Sequence, residues 1–150
     1  MELIAITQEG EPARAVPALP SVAMEPLKAT RELYRKVGFE PPWMGYLVVE
    51  FDVCVGTCAF TSPPRNNRVE IAYFTFPGHE GLGIATQMAL ALVRIALRAN
   101  PGVMVTAHTL PEKNASTAVL RKIGFELVAA IDHTEDGRVW EWELGARHET

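Results

Sequence analysis

The sequence is poor in several features that would assign it to a specialised class of protein. Its 150 residues include only two cysteines, and its net charge is small, −4. A charge of this size and sign gives no general attraction to nucleic acid or to an anionic membrane surface. Nearly half of the residues are hydrophobic and about a fifth are charged, which is typical of a globular protein. We therefore expect a single domain over residues 1–150, with no nucleic-acid or membrane partner.

The cysteines predict neither a disulfide nor a zinc site. Cys54 and Cys58 fall in one predicted strand, where four residues separate their Cα atoms by about 13 Å. A disulfide requires a separation of less than about 7 Å, and two cysteines with four scattered histidines give no zinc-ligand spacing. The first residues, MELIAITQEGEP, lack the basic start and long apolar core of a signal peptide. No apolar run is long enough to cross a bilayer. We expect a cytoplasmic protein with free cysteines and no metal.

Hydrophobic periodicity predicts an α/β fold in which strands outnumber helices. One helical pattern begins at Pro26 and ends at Gly38, and two more cover 83–99 and 115–123. Strand patterns occur at 3–6, 45–51, 54–61, 69–76 and 103–109, and in the pair ELVAAI and VWEWEL around the turn TEDGR. Because strands and helices alternate in the second half, we expect a mixed sheet.

The stretch FTFPGHEGLGIATQ, at 74–87, is the most informative part of the chain. Three glycines in six residues connect an aromatic strand to a long apolar helix. A glycine-rich loop at a helix N-terminus presents free N–H groups and the positive end of the helix dipole, which together attract anions. The loop lacks the G-K-[ST] ending of a nucleotide-hydrolysing P-loop and the complete G-x-G-x-x-G of a dinucleotide site. The chain also has no G-x-S-x-G nucleophile elbow.

Three segments in order resemble the GNAT superfamily of acetyl-CoA-dependent N-acetyltransferases. VEIAYFTF resembles the strand before the cofactor loop, and EGLGIAT resembles the Q/R-x-x-G-x-G/A pyrophosphate signature. TLPEKNASTAVLRKIGF resembles the N-x-x-S…L-x-K-x-G-F segment of the ribosomal-protein N-terminal acetyltransferase branch. The resemblance is strongest over 45–144. It implies a GNAT-like fold, with a mixed, mostly antiparallel central sheet flanked by helices.

The resemblance implies that acetyl-CoA binds as a co-substrate, with its pyrophosphate on the loop and its pantetheine arm along the preceding strand. The residues implied for the cofactor are Phe74, Phe76, Gly81, Leu82, Gly83, Ile84, Ala85, Thr86 and Asn114. Without the family resemblance, the same residues have structural interpretations: the glycines form a strand-to-helix turn, the phenylalanines belong to the core, and Asn114 is a helix N-cap. The Gln or Arg of the signature is Glu80 here, which predicts weaker pyrophosphate binding unless its carboxylate points to solvent.

Three residues are candidates for the chemistry. Glu70 begins the strand where the family often places its general base, and its alternative role is a solvated strand-end carboxylate. His108, in the next strand, is the rival base, although a strand histidine is more often simply hydrogen-bonded. Many family members carry a Tyr in the last helix that protonates the leaving thiolate. Leu120 stands at that position, so Ser116 is the remaining group that could hydrogen-bond or protonate the sulfur; its alternative is a first-turn Ser with no role.

We therefore expect an acyltransferase that moves an acetyl group from acetyl-CoA to a primary amine by direct attack in a ternary complex. The acceptor would be a small molecule or a peptide that enters opposite the cofactor, where Trp43 is a candidate lining residue. The sequence does not specify this acceptor. Two alternatives stay open: an acyl-CoA-binding sensor or partner subunit without turnover, and a structural domain with no affinity for CoA. A homodimer also stays open.

Overall fold

The computed structural model describes residues 1–16, 18–133 and 137–145. In these residues, seven strands form one sheet in the order β1-β2-β3-β4-β5-β7-β6. The strands are β1 (Glu2–Ala5), β2 (Gly45–Glu50), β3 (Val53–Phe60), β4 (Arg68–Thr75), β5 (Met104–Thr109), β6 (Phe125–His133) and β7 (Gly137–Leu144). The helices are α1 (Met24–Val37), α2 (Ile84–Ala99) and α3 (Ala115–Lys122). Only the β4–β5 pair is parallel, so the expected mixed, mostly antiparallel sheet is confirmed.

The predicted elements match the observed ones closely, except at the start of the first helix. A 3-10 turn, Ser21–Ala23, leads into α1 at Met24, so Pro26 is the third helical residue and not the first. The missing N–H of proline is harmless there, because the first four N–H groups of a helix have no partner within it. The helix ends at Val37, and its C-cap is the predicted Gly38, whose φ of 98° suits glycine. The predicted turn residues 134–136 lie outside the described residues.

The helices pack on opposite faces of the sheet. A Cβ added to Gly56 would lie 3.3 Å from the sulfur of Met88 in α2, which identifies the α2 face. A Cβ added to Gly45 would lie 2.9 Å from Cγ2 of Thr30 in α1, which identifies the α1 face. Strand register and side-chain alternation then show on which of these two faces each of the other strand residues lies. The α2 face carries Gly56, Ile71, Tyr73, Ala107 and Trp142, and the α1 face carries Gly45, Ala59, Glu70, Ala72, His108 and Glu141.

One tyrosine connects α1 to the sheet edge. The Tyr34 hydroxyl donates to the carbonyl of Ile6 and accepts from the N–H of Gly45, both at 2.9 Å. Burial raises the pKa of this phenol, although the Gly45 hydrogen bond acts in the opposite direction. The neutral hydroxyl therefore holds the first helix over β1 and β2.

The two cysteines and Trp142 lie in the core, and Trp140 packs against it. Cys54 and Cys58 are both buried and free, as the sequence predicts, and burial raises the pKa of the Cys58 thiol to about 12. Trp142 is fully buried, and its ring centroid lies 6.3 Å from that of Trp140. Arg121 of α3 lies 4.9 Å above the Trp142 ring, which places α3 on the α2 face. No helix in the described part of the chain is long and apolar enough to cross a membrane.

Candidate active site

The two central strands, β4 and β5, separate partway along their length. Their paired residues run from Arg68–Met104 to Ile71–Ala107. β4 continues to Thr75 and stays paired with β3 to that residue. Beyond Ile71, the main-chain groups of β4 that face β5 are therefore outside the ladder. Such an exposed strand edge can accept a further extended chain through main-chain hydrogen bonds.

A cleft of about 500 Å³ opens where the two strands separate. Its walls are the end of β4, the glycine loop with the first turn of α2, and the first turns of α3. The lining residues are Tyr73, Phe74, Thr75, His79, Glu80, Gly81, Gly83, Ile84, Ala85, Thr86, Ala115, Ser116 and Val119. One ligand in this cleft could therefore contact both a strand edge and a helix N-terminus.

The glycine loop reaches α2 through left-handed backbone conformations. Gly81 has a φ of 78°, and Gly83, the N-cap of α2, has a φ of 81°. A side chain disfavours this conformation by about 1–2 kcal/mol. A Cβ at either glycine would meet no atom within 4 Å, so the glycines are required by the backbone and leave open space beside it. No side chain caps α2, and its first turn has no acidic residue, so its N–H groups are open to an anion.

Glu80 is turned back onto the loop. Its carboxylate accepts a hydrogen bond of 2.9 Å from the N–H of Gly78, while the residue stays exposed and lines the cleft. The side chain thus stabilises the turn, and its negative charge stays at the edge of the cleft.

Three of the residues predicted to bind the cofactor do not line the cleft. Phe76 is 1% exposed, because β4 ends at Thr75 and the chain turns into the core. Leu82 is 67% exposed and does not contribute to the lining. Asn114 caps α3, with its side-chain oxygen 3.1 Å from the N–H of Thr117. The other predicted residues, Phe74, Gly81, Gly83, Ile84, Ala85 and Thr86, all line it.

The two candidate bases are neighbours, although sequence reasoning treats them as rivals. One carboxylate oxygen of Glu70 lies 3.1 Å from His108 Nδ1, and the other accepts a hydrogen bond of 3.2 Å from the hydroxyl of Thr61. His108 Nε2 lies 3.4 Å from the carboxylate of Glu141. Both candidates belong to the α1 face beside the point of strand separation, and neither lines the cleft itself. Within the described residues, no group of three or more His, Cys, Asp or Glu is arranged to hold a metal.

Four residues with hydroxyl groups line the cleft: Tyr73, Thr75, Thr86 and Ser116. Two of them are neighbours, since the Tyr73 hydroxyl donates a long, 3.5 Å contact to the carbonyl of Ser116. Burial raises the pKa of Tyr73 to about 12, so the phenol keeps its proton. Leu120 is fully buried and contributes nothing to the cleft. Sequence reasoning missed Tyr73; its alternation with Phe74 along β4, which directs it toward α3, was the available signal.

A second, shallower pocket of about 210 Å³ lies beside Glu70 on the α1 face. Its lining carries no charged side chain: Pro26, Ala29, Thr30, Thr57, Cys58, Ala59, Ala72, Tyr73 and Phe74. Ala72 follows Glu70 by two residues on the same face, and Phe74 lines both this pocket and the cleft. The structure does not bring Trp43 here. Its ring packs 5.1 Å from that of Phe60, which lies on the α2 face.

Comparison with known proteins identifies the type of domain. A family model described as an acetyltransferase (GNAT) domain matches residues 2–126. Among curated proteins, none matches the chain significantly.

Solved structures of similar fold include three kinds of acetyltransferase. The ribosomal-protein α-N-acetyltransferase RimL in complex with coenzyme A is 20% identical, with a TM-score of 0.63 over 79% of this chain and 68% of that one. A spermidine N-acetyltransferase chimera from Vibrio cholerae and hSSAT is 13% identical, with a TM-score of 0.67 over 96% and 95%. An aminoglycoside acetyltransferase in complex with coenzyme A is 18% identical, with a TM-score of 0.57 over 67% and 64%. At these identities the likeness establishes the fold.

Proposed function

This chain belongs to the GNAT acetyltransferase family, and we propose that it transfers an acetyl group from acetyl-CoA to a primary amine by direct attack in a ternary complex. The observation that carries the proposal is the cleft between β4 and β5. It combines a strand edge outside the ladder with an uncapped helix N-terminus. Two of the similar structures are complexes with coenzyme A.

Acetyl-CoA would bind mainly through backbone groups. The pyrophosphate would accept hydrogen bonds from the N–H groups of the loop and of Ile84, Ala85 and Thr86, where the helix dipole favours negative charge. The pantetheine arm would lie along Tyr73–Thr75 as an added strand. The thioester would then reach the point where the strands separate, next to the two candidate bases.

The acceptor amine would approach from the α1 face, where Glu70 is the proposed base. At pH 7, deprotonating a lysine-type amine costs about 4.6 kcal/mol, whereas a peptide α-amine costs about 1 kcal/mol. Glu70 would take the ammonium proton so that the nitrogen lone pair can attack the thioester carbonyl. As the tetrahedral intermediate collapses, the hydroxyls of Tyr73 and Ser116 would donate hydrogen bonds to the leaving sulfur.

The second pocket would hold the group next to the acceptor amine. Its lining is uncharged and consists largely of small side chains, so it offers no carboxylate for a second ammonium group. This chemistry favours a peptide α-amine next to a small uncharged side chain over a polyamine. The neighbours named for ribosomal protein, spermidine and aminoglycoside acetylation span both kinds of acceptor.

A sensor or partner subunit that binds acyl-CoA without turnover is the second candidate. The charge of Glu80 at the edge of the cleft and the apolar Leu120 at the family's acid position are the observations that favour it. Both candidates require CoA binding, and only the enzyme requires an acceptor.

The test measures binding first and turnover second. Acetyl-CoA at a hundred times its Kd should stabilise the protein by about 2.7 kcal/mol, and ADP, which lacks pantetheine, should give a smaller shift in Tm. A panel of amines incubated with acetyl-CoA should then release thiol, with short peptides ahead of spermidine. Binding without thiol release from any amine would favour the sensor. No shift at millimolar acetyl-CoA would exclude both.

A further inference from the structure

Two hydroxyl groups face the pocket beside Glu70 on the α1 face. Of the residues that line this pocket, Thr30, Thr57, Cys58 and Tyr73 carry polar side chains. Register and side-chain alternation place Cys58 and Tyr73 on the α2 face, where the Tyr73 hydroxyl contacts α3. Among the lining residues, only Thr30 and Thr57 therefore offer the pocket a polar side-chain group.

The protons of both hydroxyls are already used within the protein. Thr30 Oγ1 donates a hydrogen bond of 2.7 Å to the carbonyl of Pro26, and Thr57 Oγ1 donates one of 3.0 Å to the carbonyl of Tyr46. A carbonyl oxygen can only accept, so the direction of both bonds is fixed. Each hydroxyl oxygen keeps lone pairs that can accept. A ligand that donates a hydrogen bond adds to these contacts, whereas a ligand that accepts one must first break a contact.

Both threonines lie across the pocket from the proposed base. Ala72 pairs with Ala59, and Ala59 pairs with Gly45. A Cβ added to Gly45 would lie 2.9 Å from the methyl group of Thr30, so Thr30 lies two strand spacings, about 10 Å, from Ala72. Thr57 lies two residues from Ala59 along β3, on the same face. A group that contacts the threonine oxygens is therefore near the reacting amine but separate from it.

A hydroxyl group on the carbon next to the amine-bearing carbon has the reach to make this contact. The distance from the nitrogen to such an oxygen is about 3–4 Å, a hydrogen bond adds about 2.8 Å, and the threonine side chain covers the remainder. The methyl groups of Ala59 and Ala72 form the floor of the pocket, and its volume of about 210 Å³ accommodates a side chain of this size. A methyl group in place of the hydroxyl would fill the same space without donating.

We propose that Thr30 and Thr57 are specificity residues that select an acceptor with a hydroxyl group on the carbon next to the amine-bearing carbon. A peptide that begins with serine or threonine has this chemistry, and so has a small amino alcohol. The inference rests on the proposed function, in which the acceptor amine lies beside Glu70 and its neighbouring group fills this pocket. The two threonines act through their oxygens and take no part in proton or acetyl transfer.

The alternative is that both hydroxyls only stabilise the fold. Thr106 provides a matched control, because its hydroxyl also donates to a main-chain carbonyl, that of Val69 at 3.3 Å, but it does not line the pocket. T30V, T57V and T106V each replace one hydroxyl by a methyl group in a side chain of nearly the same shape. If the hydroxyls act only on stability, none of the three variants should change the choice between acceptors.

The kinetic test compares two short peptides that differ in one group of the first residue. One begins with serine, and the other begins with 2-aminobutyrate, in which a methyl group replaces the hydroxyl. The wild type should show the higher kcat/KM with the serine peptide. T30V and T57V should each lower the ratio of the two kcat/KM values by about two- to tenfold, which corresponds to one neutral hydrogen bond. The double variant should lower the ratio further, and T106V should leave it unchanged.

Serinamide and 2-aminobutyramide repeat the comparison without a peptide and distinguish the two sources of the amino alcohol. A higher kcat/KM for the serine peptide than for serinamide identifies a peptide acceptor, and the reverse order identifies a small molecule. A wild type that prefers 2-aminobutyrate, or a ratio that T30V and T57V leave unchanged, would overturn the proposal. Thiol release with other amines alone would also overturn it and keep the proposed function, whereas release with no amine would refute the proposed function itself.

Discussion

The two sides of the candidate site are built by different means. The cleft is built from backbone: left-handed glycines, the uncapped start of α2 and the free edge of β4. The α1 face instead carries side chains from three strands, Glu70, His108 and Glu141, in contact with one another. Backbone geometry tolerates changes of side chain as long as the conformation is kept, whereas the arrangement of these three side chains depends on each of them and on strand register. Substitutions in the cleft should therefore change binding, and substitutions on the α1 face should change turnover.

The sharpest separation of the two sides is expected from Glu70→Gln. The variant keeps the size and the Thr61 contact but cannot accept the amine proton. We predict that kcat falls at least about tenfold at pH 7, below the usual range of about 10²–10⁴-fold because water can substitute in part. The Kd of acetyl-CoA should not change. Steady-state kinetics and calorimetry measure the two quantities, and raising the pH should recover part of kcat, since less of the acceptor then carries a proton.

His108→Gln is the companion variant and should lower kcat less than Glu70→Gln, since the base itself remains. Full activity of Glu70→Gln at every pH, together with a large loss in His108→Gln, would reverse the assignment of the base. A higher Kd for acetyl-CoA in Glu70→Gln would show that a substitution on the α1 face also changes binding in the cleft.

The contrast between the sides also explains what the sequence could predict. The fold and the cofactor loop depend on local signals, such as β-branched strands, Gly38 and Gly83 at helix ends, and the spacing of small residues. These signals predict the order of strands and helices along the chain, whereas the choice of Phe74, Gly81, Gly83, Ile84, Ala85 and Thr86, which all line the cleft, follows from the family resemblance. Phe76 is an exception. The sequence pattern places it at the end of the strand, but β4 ends at Thr75 and the Phe76 side chain is buried in the core.

Contacts across the sheet were the part that local patterns could not supply. The sequence indicates that β6 and β7 form a hairpin, but not that β7, and not β6, lies beside β5. That long-range choice alone places Glu141 opposite His108. For the same reason Glu70 and His108 looked like alternatives, although the parallel register of β4 and β5 brings them into contact.

A smaller effect, on binding alone, is expected from Gly83→Ala. Its left-handed φ of 81° disfavours a side chain by about 1–2 kcal/mol, and relaxation of the loop would move N–H groups away from the pyrophosphate. We predict a rise of about tenfold in the Kd of acetyl-CoA, which corresponds to about 1.4 kcal/mol, with little change in kcat at saturation. Isothermal titration calorimetry measures the first quantity.

Gly78→Ala is the matched control for this prediction. Gly78 has a φ of 93°, and a Cβ added there would likewise meet no atom within 4 Å, but the residue does not line the cleft. Both variants should lower Tm by similar amounts, and only Gly83→Ala should weaken binding strongly. Equal losses of affinity would mean that the glycines act through loop stability, without close approach to the ligand.

The smallest effect is expected from Glu80→Gln. This variant measures how much one side chain contributes to the Kd of acetyl-CoA in a cleft that is built mainly from backbone. The glutamine oxygen can still accept the hydrogen bond from Gly78, so the variant removes the charge and keeps the turn. Two unit charges about 8 Å apart in water repel by about 0.5 kcal/mol, so the Kd of acetyl-CoA should fall about two- to threefold at low salt. ADP should gain as much, because it shares the pyrophosphate. At about 1 M salt, where the Debye length is about 3 Å, the gain in affinity should disappear.

A gain in affinity that persists at high salt would point to a new contact by the amide of the glutamine. No gain at low salt would mean that the carboxylate, held on Gly78, lies too far from the bound pyrophosphate to act on it.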